Sequence, residues 1–423
     1  MNVSDSERVA TSLAAEGLEL VEDELSADLV LINTCSVREK AEQKLYTRVG
    51  EVKLREGTKP VIGVMGCVAQ LDFVLGTRAV GRVNEAIRKV LSDGPGYADL
   101  GEREADYDWS VADAQRHSRS VAFVPIIEGC NKFCTYCIVP FSRGRETSLP
   151  ASEIIRQVLE LKRNGVKEVH LIGQNVNSYR PLTESGLEGF KGSSPFSRLL
   201  RAVAATGIER IKFNTSFPRD FNADIVEAIE ENENLCNWVH LPVQSGSNKV
   251  LKDMRRLHTV ESYKKKIDRI KASPRNIALT TDIIVGFPGE TIEDFEQTMG
   301  LFEYSEYATA YIFKYSPRPD TPAYAMRDDV SPEEKTRRFL ELERVHIGHR
   351  EVVRARDAHR ADLGVEPVRE RIAQCVDAAA HARARLEQDR VVARAQQLVG
   401  GGEARHAGAE HDHAQLLLLL GQA

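Results

Sequence analysis

The chain has no apolar run approaching the length of a membrane-spanning helix, and no secretory leader at its start. Both absences argue against helical spans and for the reducing cytosol. Leu416 to Leu420 is apolar but far too short to cross a bilayer. In a reducing compartment the seven cysteines read as metal ligands rather than disulfide partners. A strong excess of one charge is also missing. With a net charge of −6, a nucleic-acid partner has to be held by a local basic surface, not by the field of the whole molecule. From His346 to the end there is no Lys, Phe, Tyr, Trp, Ser, Thr, Asn or Met, while Ala and Arg dominate and seven of the 11 histidines accumulate. Residues 346–423 are therefore expected to be an Ala/Arg/His-rich tail without a core of its own. Its Cys375 and histidines, among them His411 and His413, receive no role, and neither does Cys236 beside an expected strand.

What is present is an α/β pattern. Residues 1–95 show helical spacing over 4–16 and 37–52 and buried-strand runs over 27–33 and 60–65, a small α/β unit. Residues 96–120 are polar and read as a linker. Over 121–345, strand runs at 121–127, 168–172, 208–214, 238–243, 277–285 and 308–315 alternate with helical stretches such as 152–164 and 292–302. Six strands with helices between them predict a parallel sheet curled into a partial (β/α)6 barrel, with its chemistry at the strand C-termini. An apparent strand at 71–75 is separated from the one ending at Met65 by Gly66 to Gln70 alone. A parallel crossover needs a dozen residues or more, so either this run is not a parallel neighbour or a segment is missing.

The strongest chemical signal is Glu128-Gly129-Cys130-Asn131-Lys132-Phe133-Cys134-Thr135-Tyr136-Cys137, which follows the first barrel strand. Three thiolates can each hold one iron of a four-iron, four-sulfur cluster and leave the fourth iron open to a small molecule. A structural zinc site normally closes with four protein ligands, and an electron-transfer cluster with four cysteines. No fourth cysteine lies nearby. The plainer alternative is a zinc knuckle that borrows a distant Cys or His.

Further motifs stand at successive strand ends. Gly173-Gln174-Asn175 offers close backbone approach and polar groups to a cofactor's amino and carboxylate ends. Gln244 and Ser245 offer polar groups for a ribose or carboxylate, and Arg256 a cation for a carboxylate. Around Ile283 and Gly286, apolar main chain gives way to a Gly-Pro turn against which an adenine could stack. Arg143 and Arg145, just beyond the cysteines, are candidate phosphate contacts. Lys252, Arg255 and Lys264 to Lys266 are others, though a lysine run is more often a solvated helix face.

In this order the motifs resemble the radical S-adenosylmethionine superfamily. Within it, residues 1 to about 345 resemble the methylthiotransferases, in particular the tRNA 2-methylthio-N6-dimethylallyladenosine synthases. The resemblance is carried by Asn33-Thr34-Cys35-Ser36-Val37-Arg38, Val64-Met65-Gly66-Cys67-Val68-Ala69-Gln70, Cys137-Ile138-Val139-Pro140-Phe141-Ser142-Arg143-Gly144-Arg145-Glu146, Phe213 to Pro218 and Tyr315 to Pro322. It implies an N-terminal domain with an auxiliary cluster at Cys35 and Cys67, a radical core at Cys130, Cys134 and Cys137, and a C-terminal RNA-binding β-barrel. It further implies that an electron, from a donor such as flavodoxin or ferredoxin, splits bound S-adenosylmethionine to a 5′-deoxyadenosyl radical that opens a C–H bond of a tRNA adenosine. The auxiliary cluster would supply sulfur and a second S-adenosylmethionine the methyl group. A cytoplasmic monomer is expected.

Three departures accompany the match. The family's first auxiliary cysteine precedes the position of Met1, a segment after Gln70 is short, and the tail stands where the RNA-binding barrel is expected. They suggest an incomplete or frame-shifted product. Three other readings therefore stay open: a ribosomal-protein methylthiotransferase, a remnant that cleaves S-adenosylmethionine without modifying tRNA, and a cluster- or zinc-stabilised RNA-binding module.

Overall fold

The computed structural model describes residues 2–21, 27–33, 39–54, 60–65, 72–77, 79–99, 101, 111–112, 115–346 and 416–422; the side chains of 2, 39–44 and 416–422 are outside that description. Two compact units meet in sequence between Ser118 and Arg119.

The first unit contains α1 (Asn2–Ala14), β1 (Leu18–Leu20), β2 (Leu29–Asn33), α2 (Glu39–Lys53), β3 (Val61–Met65), β4 (Phe73–Leu75), α3 (Val83–Asp93) and β5 (Tyr97–Asp99). Strands β2 to β5 run parallel in chain order. All five residues of β2 are buried because each side of the strand meets a different core. Leu29 and Leu31 pack with α1 and α3, while Val30 and Ile32 pack with Leu45, Val49 and Val52 of α2. Such two-sided burial is the reason the strand reads as one continuous apolar run.

Three features differ from expectation. The run at 73–75 is a parallel neighbour of β3 after all. Met65 lies level with Leu75, so the chain steps back by only about two residues' rise, roughly 7 Å, and one strand spacing, and no full crossover is needed. The stretch read as linker contributes β5 to the sheet. From the tail, Leu416–Gln422 forms a strand that pairs antiparallel with both β1 and β2. These seven residues of the tail thus belong to the first sheet.

The second unit continues with β6 (Val121–Pro125), β7 (Ile127–Glu128), α4 (Val139–Arg143), β8 (Thr147–Ser148), α5 (Ala151–Arg163), β9 (Glu168–Ile172), α6 (Pro195–Ala205), β10 (Arg210–Phe213), α7 (Ala223–Glu231), β11 (Trp238–His240), α8 (Asn248–Asp253), α9 (Val260–Lys271), β12 (Ala278–Val285), α10 (Ile292–Ser305) and β13 (Thr309–Lys314). Residues 332–346 form a last helix. Strands β6, β9 and β10 are one parallel trio, and β11, β12 and β13 another. A parallel bridge from Ile211 to Leu235, just ahead of β11, joins the trios in chain order. The six-stranded open barrel expected from the pattern is therefore present. Ser194, Thr259 and Thr291 start α6, α9 and α10 as side-chain caps, satisfying amide groups that the first helical turn leaves unpaired.

Val169, Leu171, Ile211 and Phe213 are buried on one face of the strands. On the alternating positions polar groups meet across strands: Arg210 with Glu168 at 3.2 Å, Lys212 over the Trp238 ring at 4.5 Å, and His240 with Thr280 at 3.0 Å. One face of these strands is thus apolar and buried, while the other carries polar and charged groups among rings such as Phe123 and Trp238.

Candidate functional site

Strands β7 and β8 pair antiparallel and close a loop, 129–146, that carries all three cysteines. Gly129 starts it at φ 80°, and a Cβ there would lie 2.1 Å from the Arg145 carbonyl oxygen, so only glycine fits. The loop is tied to itself by the Cys130 amide donating to the Gly144 carbonyl (3.0 Å), the Cys137 amide donating to the Cys134 carbonyl (3.0 Å), and the Glu146 amide donating to Asn131 Oδ1 (3.1 Å). Neighbouring strand ends hold it in place. Gln174, after β9, accepts the Gly129 amide proton at 2.7 Å. Thr135 donates from its amide to the Met254 carbonyl (3.1 Å) and from its hydroxyl to the Asp253 carbonyl (2.9 Å). Lys132 is buried between the first two cysteines, where it pairs with Asp220 (2.8 Å) and Glu146 (3.3 Å). Burial works against ionisation of Asp220, but Arg219, Lys132 and Ser178 outweigh it and hold the carboxyl down at about 2.

Two side chains aim at the sulfurs. Asn175 Nδ2 donates to Cys130 Sγ at 3.1 Å, and Arg256 Nη1 donates to Cys134 Sγ at 3.5 Å. Arg256 also donates to the Pro242 carbonyl (2.7 Å) and to the Tyr136 hydroxyl (3.5 Å), and lies 4.6 Å from the Phe217 ring centre. Its hydrogen-bond partners are a carbonyl, a thiol and a phenol, and its buried Nε has none. A buried guanidinium without a carboxylate is costly unless an anion completes it. Cluster thiolates, or a cofactor carboxylate beside them, are such an anion.

Burial raises the Cys130 thiol, and it pushes Cys137 up to about 12 with the help of charge on Cys134. These two sulfurs therefore hold their protons at neutral pH until a metal displaces them. Among the described residues no three His, Cys, Asp or Glu side chains converge as the ligand set of a single ion. A four-iron cluster takes its thiolates on three separate irons, so the triplet fits the cluster.

Residues 124–302 match the family model of the radical SAM superfamily, and residues 1–76 that of an uncharacterized protein family, UPF0004. The tRNA-2-methylthio-N(6)-dimethylallyladenosine synthase of Koribacter versatilis (strain Ellin345) is 42% identical over 353 residues, covering 80% of this chain and 78% of the relative. The synthase of Solibacter usitatus (strain Ellin6076) is 43% identical over 358 residues, covering 81% and 78%. The chain belongs to this synthase family. It is a radical S-adenosylmethionine enzyme, and a four-iron, four-sulfur cluster and S-adenosylmethionine go with that membership. The radical S-adenosylmethionine methyltransferase TsrM from Kitasatospora setae, solved with tryptophan and a cofactor analogue, has a TM-score of 0.55 at 13% identity over 77% of this chain and 72% of its own. It shares the fold.

The structure gives several of the candidate residues partners within the protein. The close approach at Gly173 is to Ile127, whose carbonyl oxygen would lie 2.6 Å from an added Cβ. Gln174 fastens the loop, and Ser245 is fully buried against Thr298 of α10 (3.3 Å). Gln244 adopts φ 75°, and its main chain bridges to β12, donating to the Asp282 carbonyl and accepting from the Ile284 amide. Ile283 is buried in register with Ile312, and the Gly286 amide donates to Glu290 (2.6 Å). Arg143 pairs with Glu128 at 3.0 Å, which removes it as a free phosphate contact, whereas Arg145 is exposed. Lys266 donates to the Phe221 carbonyl (3.0 Å) and Lys264 covers the Tyr304 ring (4.6 Å), so two of the three lysines in that run are already engaged. Cys35 and Cys67 lie outside the described residues. Lys132, Tyr136 and Phe217 are the contributors that residue-by-residue reading missed. Their only signal was membership of the quoted motif stretches.

Proposed function

We propose that the protein methylthiolates N6-dimethylallyladenosine beside the anticodon of tRNA. The observation that carries this is the loop of Cys130, Cys134 and Cys137, with Asn175 and Arg256 aimed at its sulfurs, in a chain whose relatives are named for that product. When bound, the cluster and S-adenosylmethionine supply a one-electron reductant and a carbon radical able to open an inert C–H bond. The three cysteines bind the cluster, Asn175 and Arg256 orient the sulfurs, and Gln174 and Lys132 hold the loop. Gly173, Gln244, Ser245, Ile283 and Gly286 shape the strand ends around the cofactor, and Arg145 meets phosphate. Sulfur comes from a second cluster, for which Cys35 and Cys67 are the candidate ligands in residues 1–95. Residues 121–345 are the radical core, with 96–120 as connection apart from β5 and 346–423 as a tail whose strand Leu416–Gln422 joins the first sheet. The electron donor is a flavodoxin or ferredoxin, and the protein works as a cytoplasmic monomer.

The test has two arms. Protein reconstituted anaerobically with S-adenosylmethionine and dithionite should yield 5′-deoxyadenosine, and Cys134→Ala should yield none; unchanged product in that variant refutes the site. Nucleoside mass spectrometry of tRNA from a complemented deletion strain should show the methylthio product. A modified ribosomal protein with unmodified tRNA would refute the substrate.

A further inference from the structure

We propose that Phe133 and Phe141 form a stacking platform for unpaired bases of the RNA loop; the inference rests on tRNA being the substrate. Phe133 lies between the first two cysteines and Phe141 on α4, just after the third. Their rings meet edge to face, with centroids 6.3 Å apart and planes at 78°. They are the only exposed phenylalanines among the described residues, at 44% and 54% exposure. Phenylalanine belongs to the interior, so two uncovered rings side by side on the reactive loop call for a partner that covers them. Phe133 also sits at φ 49°, where a Cβ crowds the neighbouring carbonyl. The loop accepts that strain with an exposed ring at this position.

The surroundings identify the partner. Arg145 is exposed on the same loop. Lys252 and Arg255 are exposed on the segment whose Asp253 and Met254 carbonyls accept from Thr135. Aromatic faces interleaved with cations are the usual means of holding single-stranded nucleic acid, with rings stacking on bases of any sequence and cations taking phosphates. An adenosine turned out of its loop toward buried thiols leaves its neighbours without a stacking partner. The two rings are placed to replace it. They are binding residues, separate from the cysteines beneath them.

The experiment titrates the reconstituted full chain with a labelled anticodon stem-loop RNA at fixed salt, read by fluorescence anisotropy. Phe141→Ala should weaken binding by roughly 5- to 150-fold, as for loss of one base-stacking ring, and Phe141→Trp should restore it. Phe141→Leu keeps apolar bulk without a π face and should weaken binding as well, which guards against misfolding of the alanine variant. Arg145→Ala should weaken all RNAs alike and lower the salt slope by about one. Wild-type affinity in Phe141→Leu overturns the platform and leaves the tRNA reading intact. No RNA binding by the wild type overturns both.

Discussion

Gly129→Ala isolates how far the cysteine loop depends on one backbone position. An alanine at φ 80° enters the left-handed region, at a cost of about 1–2 kcal/mol. Its Cβ would also stand 2.1 Å from the Arg145 oxygen, 2.5 Å from the Arg145 carbonyl carbon and 2.7 Å from the Gly144 oxygen. All three are main-chain atoms, so no side chain can swing aside and the strand itself must move, typically another 1–3 kcal/mol. That movement breaks the Gly129 bond to Gln174 and the Cys130 bond to Gly144, each about 0.5–1.5 kcal/mol net. Together these make roughly 3–8 kcal/mol, released as local opening. Labelling of Cys130 in the metal-free protein, followed residue by residue by mass spectrometry, should accelerate about 10²- to 10⁶-fold. Gly165→Ala is the control. Its φ is 86° with no atom within 4 Å of the added Cβ, so only the backbone cost applies, and Cys130 labelling should not change. Wild-type labelling in Gly129→Ala would refute the close contact and the role assigned to the glycine.

The other predictions concern buried charge. Arg338→Ala leaves the fully buried Glu290 carboxylate without its 2.7 Å partner, and urea denaturation should show a loss of about 3–5 kcal/mol; a loss below about 1 kcal/mol would contradict the pairing. His258 is held down at about 4 by burial and by the Arg256 charge, against an ordinary value near 6.5. The native ring is neutral where the unfolded one takes a proton, so its contribution is present above about pH 6.5. It is lost as pH falls through about 4, to the extent of roughly 3 kcal/mol. His258→Phe should flatten that part of the pH–stability profile, and identical profiles would refute it.

The barrel was legible because its strands are buried or half-buried runs bounded by Gly, Pro and Asn, and because α6, α8, α9 and α10 begin at Ser or Thr caps. The cysteine triplet was legible because ligand spacing within one loop is local. Partners contributed from other strands were not. Arg256 reads as a cation available to a carboxylate, yet it meets Cys134, 122 residues earlier. Arg143 follows the triplet as a phosphate contact would, but the β7–β8 hairpin turns it back onto Glu128. Leu416–Gln422 reads as a fragment of tail because the strands it pairs with, β1 and β2, lie near the other end of the chain.

These reassignments have a physical consequence for the cluster site. Gln174 was expected to face the cofactor but fastens the loop, and Arg256 reaches the same loop through Cys134. The Asp253 and Met254 carbonyls, which accept from Thr135, Asp220, which pairs with Lys132, and Asn175 hold it from three further directions. Each anchor lies outside the loop, so its cysteines are positioned by the barrel rather than by the iron. In small metal knuckles the binding free energy is also the folding free energy. Here ordering is already supplied by the segments after β9 and β10 and by the end of α8, and iron binding would have mainly to displace protons from buried thiols. Preorganisation of this kind suits a cluster that keeps one iron open.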